Sequence, residues 1–113
     1  MRKSDRIRLQ HMLDAAREAM SFVQRKSREH LARDRLLVLA LVKAIEIIGE
    51  AAYQISPQTR SRTPEIPWED IIGMRHRLHA YFDIDLDILW STVQKDLPQL
   101  TAILESVLKK GEA

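Results

Sequence analysis

Apolar residues near the start of the chain recur at Leu9, Met12, Leu13, Ala16, Met20 and Val23. That three-and-four spacing predicts a helix with one buried stripe. Ser4 is its expected N-cap, and His11, Asp14, Glu18, Ser21 and Arg25 fall on the opposite, solvated face. Ser27 or Asp34 can cap the next helix, predicted from about Asp34 to Ile55. From Leu36 to Tyr53 this second helix is apolar almost all round, apart from a narrow polar line of Lys43, Glu46, Glu50 and Gln54. A helix so apolar must be covered on most sides. A chain this small covers it only in part, which predicts that a second copy supplies the rest.

Residues 56–67 break the pattern. Three prolines and several hydroxyl residues predict a loop with room for one short turn. Pro67 suits the start of a third long helix, which begins at Trp68 and carries Gly73 to Tyr81. Asp83 to Asp85 reads as a turn followed by a new N-cap. In the last helix Leu86, Trp90, Val93, Leu97, Leu100, Leu104 and Val107 step by four and three, a bundle-facing seam. Pro98 lies off that seam and is expected to kink or split the helix. The expected fold is all-α: an antiparallel bundle of four to five helices, one domain over 1–113 with an ordered core of about 4–108.

Composition narrows the function classes. At 113 residues, 45% hydrophobic and 30% charged, the chain suits one globular domain. The absence of cysteine excludes a disulfide scaffold, a thiolate metal site and a cysteine nucleophile. The longest apolar run, Leu36 to Val42, falls far short of the ~20 residues of a membrane span. The charged N-terminus has no apolar segment behind it, so no secretory signal is read and a cytoplasmic location is expected. A net charge of +2 is no nucleic-acid signature by itself. Basic residues do gather at Arg25 to Arg35, at Arg60 and Arg62, and at Arg75 and Arg77.

The chemistry concentrates in Arg75, His76, Arg77, His79 and Tyr81. Metal-free RNA cleavage needs a base for the 2′-hydroxyl proton, an acid for the leaving oxygen and positive charge on the phosphate. Histidine carries protons near neutral pH, and arginine forks onto phosphate oxygens. On a regular helix Arg75 and His79 would lie within ~40° of one face at ~100° per residue. Arg77 and His76 are candidate supporting residues. Glu46 and Glu50, on the one polar line of the second helix, are candidates for orienting Arg75 by charge pairing. His76 and His79 have a spacing that can bind metal, but no properly spaced third ligand joins them, so no metal or cofactor is expected. Trp68 and Trp90 belong to apolar seams and are read as packing residues.

These segments resemble a known family. Ile66-Pro-Trp-Glu-Asp-Ile-Ile-Gly-Met-Arg75, then His79-Ala-Tyr-Phe-Asp-Ile-Asp-Leu-Asp-Ile-Leu-Trp90, with Arg35-Leu-Leu and Ala44-Ile-Glu-Ile-Ile-Gly-Glu-Ala-Ala52 before them, are similar to HEPN-domain proteins of the HepT-like toxin family. The resemblance covers about residues 4 to 108. It implies an all-α homodimer with the catalytic motif facing its twin. It implies the toxin of a type VII-like HEPN/MNT toxin–antitoxin module, an endoribonuclease acting on RNA such as tRNA or mRNA. The antitoxin is a minimal nucleotidyltransferase. The family motif is arginine, four to six residues, histidine, one residue, tyrosine. Carried over, Arg75 stabilises phosphate charge, His79 handles the proton, and Tyr81 accepts the AMP that silences the toxin. Adenylation adds negative charge and bulk beside the cleft.

Only His76, Arg77 and Leu78 separate Arg75 from His79, one fewer than the motif calls for. Losing one residue turns everything downstream on the helix by ~100°. A weakened or inactive enzyme is then expected unless a helix bulge absorbs the change. The alternative function is a non-catalytic partner that presents Tyr81, or a substrate, to the nucleotidyltransferase. A bare structural dimer is the third reading.

Overall fold

The computed structural model describes the chain except Tyr81, Phe82 and Ala113 and the side chains at positions 75, 79, 80, 83 and 112. It is all-α, with four long helices and three of six residues among the described residues. In chain order these are α1 (Lys3–Phe22), α2 (Arg28–Arg33), α3 (Arg35–Gln54), α4 (Pro57–Arg62), α5 (Trp68–Leu78), α6 (Leu86–Ser91) and α7 (Leu97–Glu112). A π-helical segment, Thr92–Asp96, joins the last two.

Helix α3 is the central element and packs against both α1 and α5. Asp34 caps it, its carboxylate accepting from the Leu37 N–H at 3.1 Å. Of the two candidate caps Asp34 thus starts the long helix, and Ser27 starts the separate short helix α2 in a box with His30. The stripe of α1 is buried at Leu9, Met12, Leu13, Ala16 and Val23, and the seam of the final helices at Val93, Leu97, Leu100, Leu104 and Val107. Trp68 is buried and Trp90 packs partly buried against the same core.

Four boundaries differ from the sequence pattern. Helix α1 starts at Lys3 with Arg2 at the cap position, which places Ser4 inside the helix. The segment after α3 contains the short helix α4, with Pro57 in its first turn and the Ser56 hydroxyl accepting from the Thr59 N–H. Helix α2, ahead of Asp34, is a separate helix that the pattern did not set apart. As Pro98 predicts, the final helix is divided. Pro98 has no N–H for the carbonyl four residues earlier and its ring crowds that carbonyl. The wider π turn immediately before α7 takes up the misfit.

The fourth difference bears on function. Helix α5 ends at Leu78 and does not reach Tyr81. His79–Ala80 (β1) pairs antiparallel with Asp83–Ile84 (β2), His79 opposite Ile84. The Asp85 N–H closes back onto the Leu78 carbonyl at 2.6 Å. The Asp85 carboxylate then accepts from the N–H groups of Asp87 and Ile88, both at 3.0 Å, and starts α6.

Asp5 ties α1 to the segment after α3. It is 1% exposed and accepts from the Ser56 N–H at 3.0 Å and from the Ser56 and Thr59 hydroxyls, each at 2.6 Å. The first turn of α1 is thereby fixed beside the end of α3, so the two helices run antiparallel.

Candidate functional site

An open cleft of about 570 Å³ lies along α3 between α1 and α5. Its floor is the polar line of α3: Lys43, Glu46, Glu50 and Gln54. The α1 wall presents Arg8 and His11, and the α5 wall presents Ile72 and His76. Glu50 accepts from the Gln54 side-chain amide at 3.2 Å.

The α5 wall is set by two contacts. Trp68, at the start of α5, donates its indole N–H to the Thr63 carbonyl at 3.2 Å. One turn on, the Ile71 carbonyl faces Gly49, where a Cβ would stand 3.7 Å away. Later residues of α5 thus meet earlier residues of α3, and His76 lines the cleft with Lys43 and Glu46.

Of the residues singled out from sequence, Glu46, Glu50 and His76 share this cleft. Arg77 does not. It faces a smaller groove between α5 and α7, with Asp70, Asp96 and Gln99, and donates to the Asp70 carbonyl at 3.1 Å. Position 75 falls on α5 directly before His76, and position 79 on β1. The side chains of Arg75 and His79, and all of Tyr81, lie outside the described residues. Helix α5 ends at Leu78, between the two positions, so whether their side chains share one face lies outside the described residues.

Two other basic groups serve packing. Arg60 Nη2 donates to the Ala52 and Tyr53 carbonyls at 3.0 and 2.8 Å, closing the C-terminus of α3. Its guanidinium lies 5.9 Å from the centre of the Trp68 ring. Arg28 pairs with Asp87 at 2.6 Å and links α2 to α6. Among the described residues no three His, Asp or Glu side chains stand close enough to hold a metal ion. Among the described residues no helix is long and apolar enough to cross a membrane.

Residues 12–107 match the family model for Ribonuclease HepT-like proteins. The chain belongs to that family. Full-length relatives of this HepT-like chain carry matching names. A Thermococcus cleftensis protein named probable ribonuclease HepT is 34% identical over 110 residues, spanning 96% of this chain and 100% of the relative. A protein of Caldanaerobacter subterraneus subsp. tengcongensis, named as a candidate RNase, is 34% identical over 109 residues, or 96% and 97% of the two chains. Another from Methanocaldococcus jannaschii, named likewise, is 32% identical over 100 residues, or 88% and 92%. No solved structure matches the chain at a significant level.

Sequence reasoning missed Arg8 and His11. They sit on the polar side of an ordinary amphipathic helix, and only the antiparallel packing of α1 on α3 brings them to the cleft. Their i, i+3 spacing next to a long polar line was the one available signal.

Proposed function

We propose that this HepT-like chain is a metal-independent endoribonuclease, the toxin of a two-component module, silenced when a minimal nucleotidyltransferase attaches AMP to Tyr81. The observation that carries the reading is the family match over residues 12–107. The polar cleft supports it, since α5, the helix bearing Arg75, forms one of its walls.

In the reaction, the RNA 2′-oxygen attacks the adjacent phosphorus. The base takes its proton, the P–O5′ bond breaks, and the leaving 5′-oxygen gains a proton. The products are a 2′,3′-cyclic phosphate and a 5′-hydroxyl. His79 moves the proton, Arg75 binds the negative charge that builds on phosphorus, and Glu46 and Glu50 orient the guanidinium. His76 lends a further donor from the same wall. In silencing, the Tyr81 oxygen attacks the α-phosphorus of ATP and pyrophosphate leaves. The working unit is a homodimer. In support, α3 leaves Leu36 81% and Leu39 47% exposed in its first turns, an apolar surface that a second copy would cover.

The purified chain is expected to cut single-stranded RNA equally well with and without EDTA. It should leave an oligonucleotide uncut when the residue 5′ to the scissile bond is 2′-deoxy. Cleavage of the deoxy substrate, or its loss in EDTA, would remove this mechanism. If the chain is inert but gains AMP mass with a nucleotidyltransferase and ATP, it is the non-catalytic partner, the reading favoured by the short Arg75–His79 spacing.

A further inference from the structure

One end of the cleft holds groups that the proposed reaction does not use. Arg8 and His11 stand one turn apart on α1, facing the last turns of α3. Across from them Tyr53 lines the same cleft and is 66% exposed. His76 lines the cleft with Lys43 and Glu46, which lie ten and seven residues earlier on α3 than Tyr53. Seven to ten residues at 1.5 Å each span ~10–15 Å along the helix. A phosphodiester bound at the His76 level therefore leaves a neighbouring nucleotide at the Arg8–Tyr53 end. Glu50 on the floor carries negative charge between these levels, which directs anion contacts at that end to the α1 wall.

The backbone under Tyr53 is unusually well held. A last helical turn has carbonyls without intrahelical partners and tends to fray. Here Arg60 grips both the Ala52 and Tyr53 carbonyls and is itself braced over Trp68. The exposed ring stands on a fixed base at the rim of a polar cleft, opposite a guanidinium. An aromatic platform beside basic phosphate donors is how proteins hold single-stranded nucleic acid.

We propose that Arg8, His11 and Tyr53 form a subsite for the nucleotide next to the scissile phosphate of single-stranded RNA. Arg8 and His11 donate to its phosphate, and Tyr53 stacks on its base. The subsite rests on the ribonuclease reading above. Stacking tolerates any base, so the subsite adds affinity and register with little sequence preference.

The test is binding of a fluorescent 2′-O-methyl RNA oligonucleotide, which has no attacking hydroxyl and so reports binding without cleavage. Arg8→Gln is expected to weaken binding about tenfold, the lower end for a hydrogen bond to a charged group. It should also flatten the slope of log affinity against log salt by about 0.7. Tyr53→Ala should lose about 5–100-fold, while Tyr53→Phe keeps native affinity. Circular dichroism melts identify any variant that is not folded, and Tyr53→Phe and Arg8→Gln retain nearly the native shape. Native affinity in both Arg8→Gln and Tyr53→Ala overturns the proposal. So does a change from dimer to monomer in Tyr53→Ala, which would make the ring a contact between copies. A native chain that binds this RNA but never cuts unmodified RNA defeats the nuclease reading alone. A cutting enzyme whose RNA affinity ignores both substitutions defeats the subsite alone.

Discussion

Alanine in place of His79 is expected to slow RNA cleavage by roughly 10²–10⁴-fold, the usual contribution of a positioned general acid or base. Alanine in place of Arg75 should slow it by roughly 10²–10³-fold, as for loss of one donor to a developing oxyanion. Initial rates on a defined oligonucleotide read both effects. His79→Ala should leave affinity for 2′-O-methyl RNA nearly unchanged, because proton transfer matters in the transition state and not in binding. Native cleavage rates in both variants would remove the motif from the mechanism. Insertion of a leucine after Leu78 adds a second arm, since it restores the longer spacing of the family motif. Helix α5 already ends at Leu78, and the chain beyond is fixed by the His79–Ile84 pairing and the Asp85 N–H on the Leu78 carbonyl. An inserted residue therefore lengthens the hairpin without rotating a helical face. Cleavage at or below the native rate is expected, whereas a gain of tenfold or more would show that the short spacing weakens the enzyme.

Where the chain carries its own punctuation, the pattern of residues reveals the fold. Asp34 before an unbroken apolar run marks the start of α3, and Asp85 after the hairpin marks the start of α6. Pro98 announces a break in the final helix, and the structure answers with a π turn. The end of α5 has no such mark, as neither glycine nor proline lies between Leu78 and Asp85. Hydrogen bonds that form only when Asp85 returns to Leu78 set that boundary, and periodicity cannot register them. The same limit applies to the cleft. The polar line of α3 was visible as Lys43, Glu46 and Glu50, but the residues facing it from α1 were not. The separation of His76 from Arg77 has a simpler origin: ~100° per residue on α5 sends one toward α3 and the other toward α7. Arg60, which the basic-cluster reading grouped with Arg62, closes a helix end, a role that depends on carbonyls seven and eight residues away.

Asp5→Ala is expected to lower stability by about 3–5 kcal/mol, since it leaves the Ser56 N–H and the Thr59 hydroxyl buried with no acceptor and the Ser56 hydroxyl with only the Thr59 oxygen at 3.3 Å. In a protein of this size that is a fall in melting temperature of ~10 °C or more. Asp5→Asn keeps the shape and one acceptor, and should cost about 1–3 kcal/mol. The pH dependence separates loss of charge from loss of packing. Burial alone pushes the Asp5 carboxyl up, but the Ser56 and Thr59 hydroxyls, the Ser56 N–H and the charge of Arg2 outweigh it and hold the group below its ordinary value. A carboxylate that is more acidic when folded contributes stability in full above the unfolded value near 3.8. That contribution declines as pH falls through 3.8 and disappears below the folded value. The stability gap between native chain and Asp5→Asn, read by denaturant melts, should thus be constant from pH 7 to about 5 and narrow progressively toward pH 2.5. A gap independent of pH would mean that shape at Asp5, and not its charge, joins α1 to α4. Because Arg8 is the next turn of the same helix, loosening this joint should also weaken RNA binding in Asp5→Asn before the protein unfolds. A variant with lowered stability and native RNA affinity would show that the α1 wall of the cleft is positioned by the Leu9–Met12 core contacts instead.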